Sequence, residues 1–190
     1  TYADGLPATT ELHTVRTWRE PLPDDPTVFD GIVAMGGPMG ANDGALHPRI
    51  DAEITFLHRA LAADVPVFGI CLGSQLLAAA AGAAVTTGPA PEIGICSVEW
   101  TQQGLADPVW KGLSDNTFDV MQWHYDTFDL PEGSVLLASS SAYPNQLFRL
   151  GSSYGIQFHL EVDTRGFAEW VADDDYREEI VGALGSRGPE

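Results

Sequence analysis

Residues 66–75, Pro-Val-Phe-Gly-Ile-Cys-Leu-Gly-Ser-Gln, decide the fold. Val65 to Ile70 is a short apolar run, the pattern of a fully buried strand. An alanine-rich apolar run from Leu76 to Ala84 follows and reads as a buried helix. Between them Cys71 is flanked two residues either side by Gly69 and Gly73, the arrangement of a nucleophile elbow. Such a turn is too tight for side chains at the flanking positions. It raises the sulfur clear of the backbone at the top of a sheet and puts it at a helix N-terminus, where the helix dipole favours negative charge. A lone cysteine in an apolar segment is usually an inert core residue; the glycines, the strand-to-helix switch and the partners downstream point instead to a nucleophile.

The regular pattern begins at Phe29. Gly31 to Met35 reads as a strand, ended by Gly36-Gly37-Pro38-Met39-Gly40. Pro48 suits the first position of a helix running to about Ala63, with Ile50, Ile54, Leu57 and Leu61 on one face. Strand, helix, strand, helix predicts an α/β protein with an open, mostly parallel sheet flanked by helices. After Ala84 the pattern shifts to short strands separated by turn residues: 84–86, 94–100, 117–122, 134–138, 146–150 and 154–158. Additional antiparallel strands are therefore expected in the C-terminal half. Asp163 should cap a helix over Thr164 to Val171, and an amphipathic helix over Asp175 to Leu184 precedes a frayed tail. Upstream, Leu12 to Trp18 alternates as a half-buried strand would. The sequence begins without methionine and shows no first core strand, so the expectation is that such a strand is missing from it. The 190 residues suit one domain, with its motif-bearing core at about 30–162.

The formal charge is −18 and Lys111 is the only lysine, which argues against nucleic acid and anionic membrane surfaces as partners. So acidic a composition, with Asp outnumbering Glu, would suit a salt-rich cytoplasm, and a GC-rich genome explains the scarcity of lysine equally well. No apolar run approaches a membrane span and no signal pattern opens the chain. Two cysteines give no disulfide framework, and a cytoplasmic location is expected. His13, His47 and His58 share no ligand spacing with cysteines or carboxylates, so neither metal nor cofactor is expected. Cys96 reads as core, His124 as a loop residue, and Asp173 to Asp175 as a solvated helix start.

Gly155-Ile-Gln-Phe-His-Leu-Glu161 is the second informative stretch. On an extended segment His159 and Glu161 share one face, and Phe158, Leu160 and Val162 the other. A carboxylate orients an imidazole and stabilises its protonated form, and a cysteine nucleophile needs such a base and acid. The glycine loop after the first strand would lie where open α/β sheets bind ligands. There the amide of Gly37, paired with that of Leu72, would form an oxyanion hole.

Together, Gly69-Ile-Cys-Leu-Gly-Ser-Gln75, Gly155 to Glu161 and Met35-Gly-Gly-Pro-Met39 resemble the class I (triad-type) glutamine amidotransferase family. More narrowly, the chain is similar to stand-alone proteins like the glutaminase domain of GMP synthase. Glu92-Ile-Gly94, Trp123-His-Tyr-Asp126 and Tyr143-Pro-Asn-Gln146 add to the likeness. The resemblance implies a flavodoxin-like fold and a triad in which Cys71 attacks the glutamine side-chain amide, His159 is acid and base, and Glu161 orients it. It implies substrate contacts from Gln75 and, through a looser alignment, from Tyr125 and Asp126. The ammonia would pass to an acceptor bound by a separate synthetase partner, since this sequence has no nucleotide-binding loop. A stand-alone γ-glutamyl hydrolase or peptidase would use the same triad on a larger γ-glutamyl substrate. A redox sensor or chaperone built on an elbow cysteine ranks last, since it needs no acid for a leaving group.

Overall fold

A computed structural model describes residues 7, 9–111, 115–172, 177 and 182. The expected helix over 175–184 and the tail lie almost wholly outside them. Among the described residues seven strands form one mixed sheet: β1 (Ile32–Ala34), β2 (Val67–Ile70), β3 (Val85–Trp100), β4 (Thr117–Phe128), β5 (Val135–Ser139), β6 (Leu147–Leu150) and β7 (Ser153–Ile156). Their order across the sheet is β1-β2-β7-β6-β5-β3-β4. The architecture is the α/β one expected, with its parallel ladders confined to β1–β2 and β2–β7 and the remaining strands joined antiparallel.

Among the described residues lie helices α1 (Pro48–Ala62), α2 (Leu72–Ala80), α3 (Gln102–Ala106) and α4 (Thr164–Ala172). Pro48 opens α1, where its missing N–H costs no hydrogen bond. The helix buries Ile50, Leu57 and Ala60 in the cluster that holds α2, with Ile54 and Leu61 partly covered there, and Phe56 is buried outside that cluster. α2 is apolar nearly all round and buried along most of its length, so it belongs to the core. Asp163 caps α4 as expected, its carboxylate accepting the amide of Gly166 at 2.8 Å.

Alternating residues of the central strands feed two apolar clusters, one on each face of the sheet. Val67 and Phe148 join α1 and α2, while Phe68, Ile70, Leu147 and Ile156 join Val98, Val120, Leu137 and Phe158. Three expectations need correction. Leu12 to Trp18 forms no strand, and Leu12 and Trp18 are each 61% exposed. The segments 84–86 and 94–100 are one strand, β3, irregular only between Thr87 and Glu92. Its partner β4 runs on past Gln122 through Trp123-His124-Tyr125-Asp126. His124 is therefore a buried strand residue and not a loop histidine.

Candidate active site

The site lies where β1, β2 and β7 end side by side. β2 and β7 pair Ile70 with Ile156, and the amide of Cys71 continues that ladder by donating to the Ile156 carbonyl at 2.8 Å. Cys71 then turns sharply, with φ 51° and ψ −113°, into α2. Positive φ strains a residue with a Cβ, and persists here because packing on both sides dictates it. A Cβ on Gly69 would stand 2.5 Å from the Gly73 carbonyl oxygen, and one on Gly73 2.0 Å from that of Ala34. Both flanking positions accept only glycine.

Beyond β7 the chain bends, and His159 makes an isolated bridge to Met121 on β4, donating its amide to the Met121 carbonyl at 2.8 Å. The bend spoils the simple alternation expected there: Phe158 is fully buried whereas Leu160 is exposed. The imidazole–carboxylate pair forms nonetheless, His159 Nδ1 lying 2.6 Å from Glu161 Oε1, with the imidazole buried and the carboxylate partly so. That leaves Nε2 to face the sulfur. Gly36, just past β1, marks the meeting point, since a Cβ there would lie 3.5 Å from Cys71 Cβ and 3.6 Å from His159 Cε1. Burial pushes His159 toward its neutral form, but its hydrogen bonds to Cys71 and Glu161 and the charges of those groups prevail and raise it to about 9. The Cys71 sulfur also lies 3.7 Å from the Trp123 carbonyl oxygen.

Gly37 packs on the first residue of α2, its hypothetical Cβ 3.2 Å from Leu72 Cδ2, so the two expected oxyanion-hole residues are neighbours. Gln75, one turn along α2, is buried and donates to the Asp126 carbonyl at 3.3 Å and to Gln157 Oε1 at 3.1 Å. Asp126 accepts from Thr87 Oγ1 at 2.8 Å and lies beside Gly40, the last glycine of the β1 loop. Tyr125 is exposed, at 41%. Cys96 sits half-buried on β3, its thiol pushed up by burial and by the charges of Glu92 and Asp119, and takes no part.

Two contacts of the site are not signalled by the sequence motifs, although Glu92 and His124 both fall in stretches that add to the family likeness. Trp170 of α4 stands edge-on to His159 at 5.2 Å between ring centres, and to Trp123 at 5.6 Å. His124 pairs inside the protein with Glu92, Nε2 to Oε2 at 2.9 Å. His124 and Glu92 lie far apart in sequence, and only the β3–β4 register sets them opposite each other.

Residues 7–176 match the glutamine amidotransferase class-I family. The chain belongs to that family. It is 33% identical over 172 residues to the glutamine amidotransferase-like protein YfeJ of Salmonella typhimurium, covering 88% of this chain and 71% of that one. Over 160 residues it is 29% identical to a subunit of the glutamine-hydrolysing GMP synthase of Pyrococcus abyssi, covering 83% and 74%. A solved glutamine amidotransferase from Methylobacillus flagellatus shares 35% identity at a TM-score of 0.78, covering 90% of this chain and 66% of that one. Another, from Thermotoga maritima, shares 34% at a TM-score of 0.69, with 79% and 64% covered. The chain thus spans slightly under two thirds of those two solved chains, and about a quarter of full-length GMP synthases such as that of Aeropyrum pernix, where 26% is covered. No helix among its described residues is long and apolar enough to cross a membrane.

Proposed function

We propose that this amidotransferase hydrolyses the side-chain amide of glutamine through a covalent Cys71 thioester and releases ammonia for a separate synthetase. The observation that carries the reading is the convergence of the Cys71 elbow and the Glu161-bound ring of His159 beside Gly36.

The Cys71 sulfur attacks the amide carbon, forming the C–S bond and moving the carbonyl π-pair onto oxygen. The Gly37 and Leu72 amides receive that oxyanion. As the oxyanion collapses the C–N bond breaks, and His159, protonated by the sulfur's proton and held by Glu161, delivers that proton to the departing nitrogen as ammonia leaves. Water then attacks the thioester, giving a proton to neutral His159, which returns it to the sulfur as glutamate departs. Gln75 and Asp126, joined through the Asp126 carbonyl, hold the amino-acid end of glutamine, together with the exposed Tyr125.

The similarity to one subunit of a GMP synthase supports the synthetase partner. The experiment is ammonia and glutamate release from glutamine by the purified protein beside Cys71→Ala, with labelling of Cys71 by a glutamine-like electrophile. Cysteine-dependent release or labelling is expected. A protein that neither turns over glutamine nor reacts with the electrophile, while its thiol still reacts with iodoacetamide, overturns the reading.

A further inference from the structure

Behind the elbow lies a chain of buried polar groups whose orientations dictate one another. Burial alone would raise the Glu92 carboxyl, but hydrogen bonds from His124, Ser140 and Gln146 outweigh it and hold the group below the usual range, so it is a carboxylate. His124 turns Nε2 to that carboxylate at 2.9 Å and Nδ1 to the Asp126 carbonyl oxygen at 2.9 Å. Both neighbours are hydrogen-bond acceptors, and the ring is held between them. Glu92 Oε1 accepts from Ser140 Oγ at 2.8 Å, and Oε2 accepts from Gln146 Nε2 at 2.7 Å. Gln146 thereby turns its oxygen to Gln122 Nε2, at 2.9 Å.

The other end of the chain enters the site. The Asp126 carbonyl that receives His124 also receives Gln75 Nε2, which Gln157 Oε1 fixes from its other side. The Gln75 nitrogen is thus committed inward to two acceptors, and its oxygen is the amide atom left for a ligand. The same strand segment brings the Trp123 carbonyl to the Cys71 sulfur. Inside a protein a charged anchor of this kind acts strongly on the hydrogen bonds chained to it.

We propose that Glu92 is a positioning residue for glutamine binding, acting through His124 and the Asp126 carbonyl to set the orientation of the Gln75 amide on α2. The inference rests on the function proposed above. It makes Glu92 a determinant of affinity for the amino-acid head and not of thiol chemistry.

The test is inactivation of Cys71 by 6-diazo-5-oxo-L-norleucine, a glutamine-like electrophile, against alkylation by iodoacetamide, which lacks the amino-acid head. For Glu92→Gln the concentration giving half-maximal inactivation rises roughly tenfold, the effect of losing one charge-assisted hydrogen-bond anchor. The maximal inactivation rate and the iodoacetamide rate stay within about twofold, because the elbow is untouched. Ser140→Ala keeps the carboxylate and removes one of its donors, so it moves the same quantity about two- to threefold; it decides the matter if Glu92→Gln does not fold. Unchanged half-saturation in a folded variant overturns the inference, as does a loss shared equally with the iodoacetamide rate. A wild-type protein alkylated by iodoacetamide but untouched by the glutamine-like reagent overturns the proposed function, and this inference with it.

Discussion

A side chain on Gly69 would bring its Cβ within 2.5 Å of the Gly73 carbonyl oxygen. Strand β2 and helix α2 therefore touch backbone to backbone, and that contact sets the height at which the Cys71 sulfur stands. Gly73→Ala should destabilise the protein by about 3 kcal/mol, the upper end for overpacking, because its obstacle is the Ala34 backbone and cannot rotate away. Thermal unfolding measures the loss. Unchanged stability would mean that α2 can slide on the sheet, and that the elbow is not rigid.

His159 makes stability depend on pH in a definite sense. Its folded value of about 9 exceeds its ordinary 6.5, so the folded state holds the proton more tightly than the unfolded chain. The contribution is fully present below about pH 6.5 and is lost as pH rises through about 9. Unfolding midpoints in denaturant should fall across that window in the wild type, and fall much less in His159→Gln. In Cys71→Ala the ring loses a hydrogen bond and a charge that raise it, so its titration by NMR should move downward.

The elbow and the His159–Glu161 pair are legible in the sequence because each is local: two glycines around one cysteine, and two side chains spaced by two. The turn chemistry of Gly36 to Gly40 is legible for the same reason. The pairing of Glu92 with His124 is not, because it depends on register across a long hairpin whose β3 reads as two strands when Pro89 and Pro91 are taken as a break. Leu12 to Trp18 misleads in the opposite direction. Its alternation is real, but no neighbouring strand among the described residues pairs with it, and alternation without a partner is not a strand.

Asp107 gives a stability test away from the chemistry. Its carboxylate is fully buried, accepting from Arg149 Nε at 2.8 Å and from the Tyr154 hydroxyl at 3.1 Å. Asp107→Ala strands these two donors and the Val109 amide, which also donates to the carboxylate at 3.0 Å. The loss should be about 2–3 kcal/mol, below the range for a wholly buried pair because Arg149 is one-third exposed and water reaches its guanidinium. Denaturant melts check it, and iodoacetamide alkylation of Cys71 in the folded variant should be unaltered.

Trp170 separates burial from bonding at His159. Its ring stands edge-on to both the His159 ring and Trp123, and it supplies none of the hydrogen bonds that hold the imidazole. Trp170→Ala keeps every hydrogen bond of the Cys71–His159–Glu161 constellation and admits water to the imidazole. Edge-to-face pairs are worth about 0.5–1.5 kcal/mol each, so the stability loss should be modest. The larger effect should fall on chemistry, because a hydrated ring is held less firmly and its bond to Glu161 competes with water. Glutamine hydrolysis is expected to drop roughly tenfold in kcat with KM little changed, and Trp170→Phe should restore most of it. A loss confined to KM would instead make Trp170 a wall of the substrate pocket.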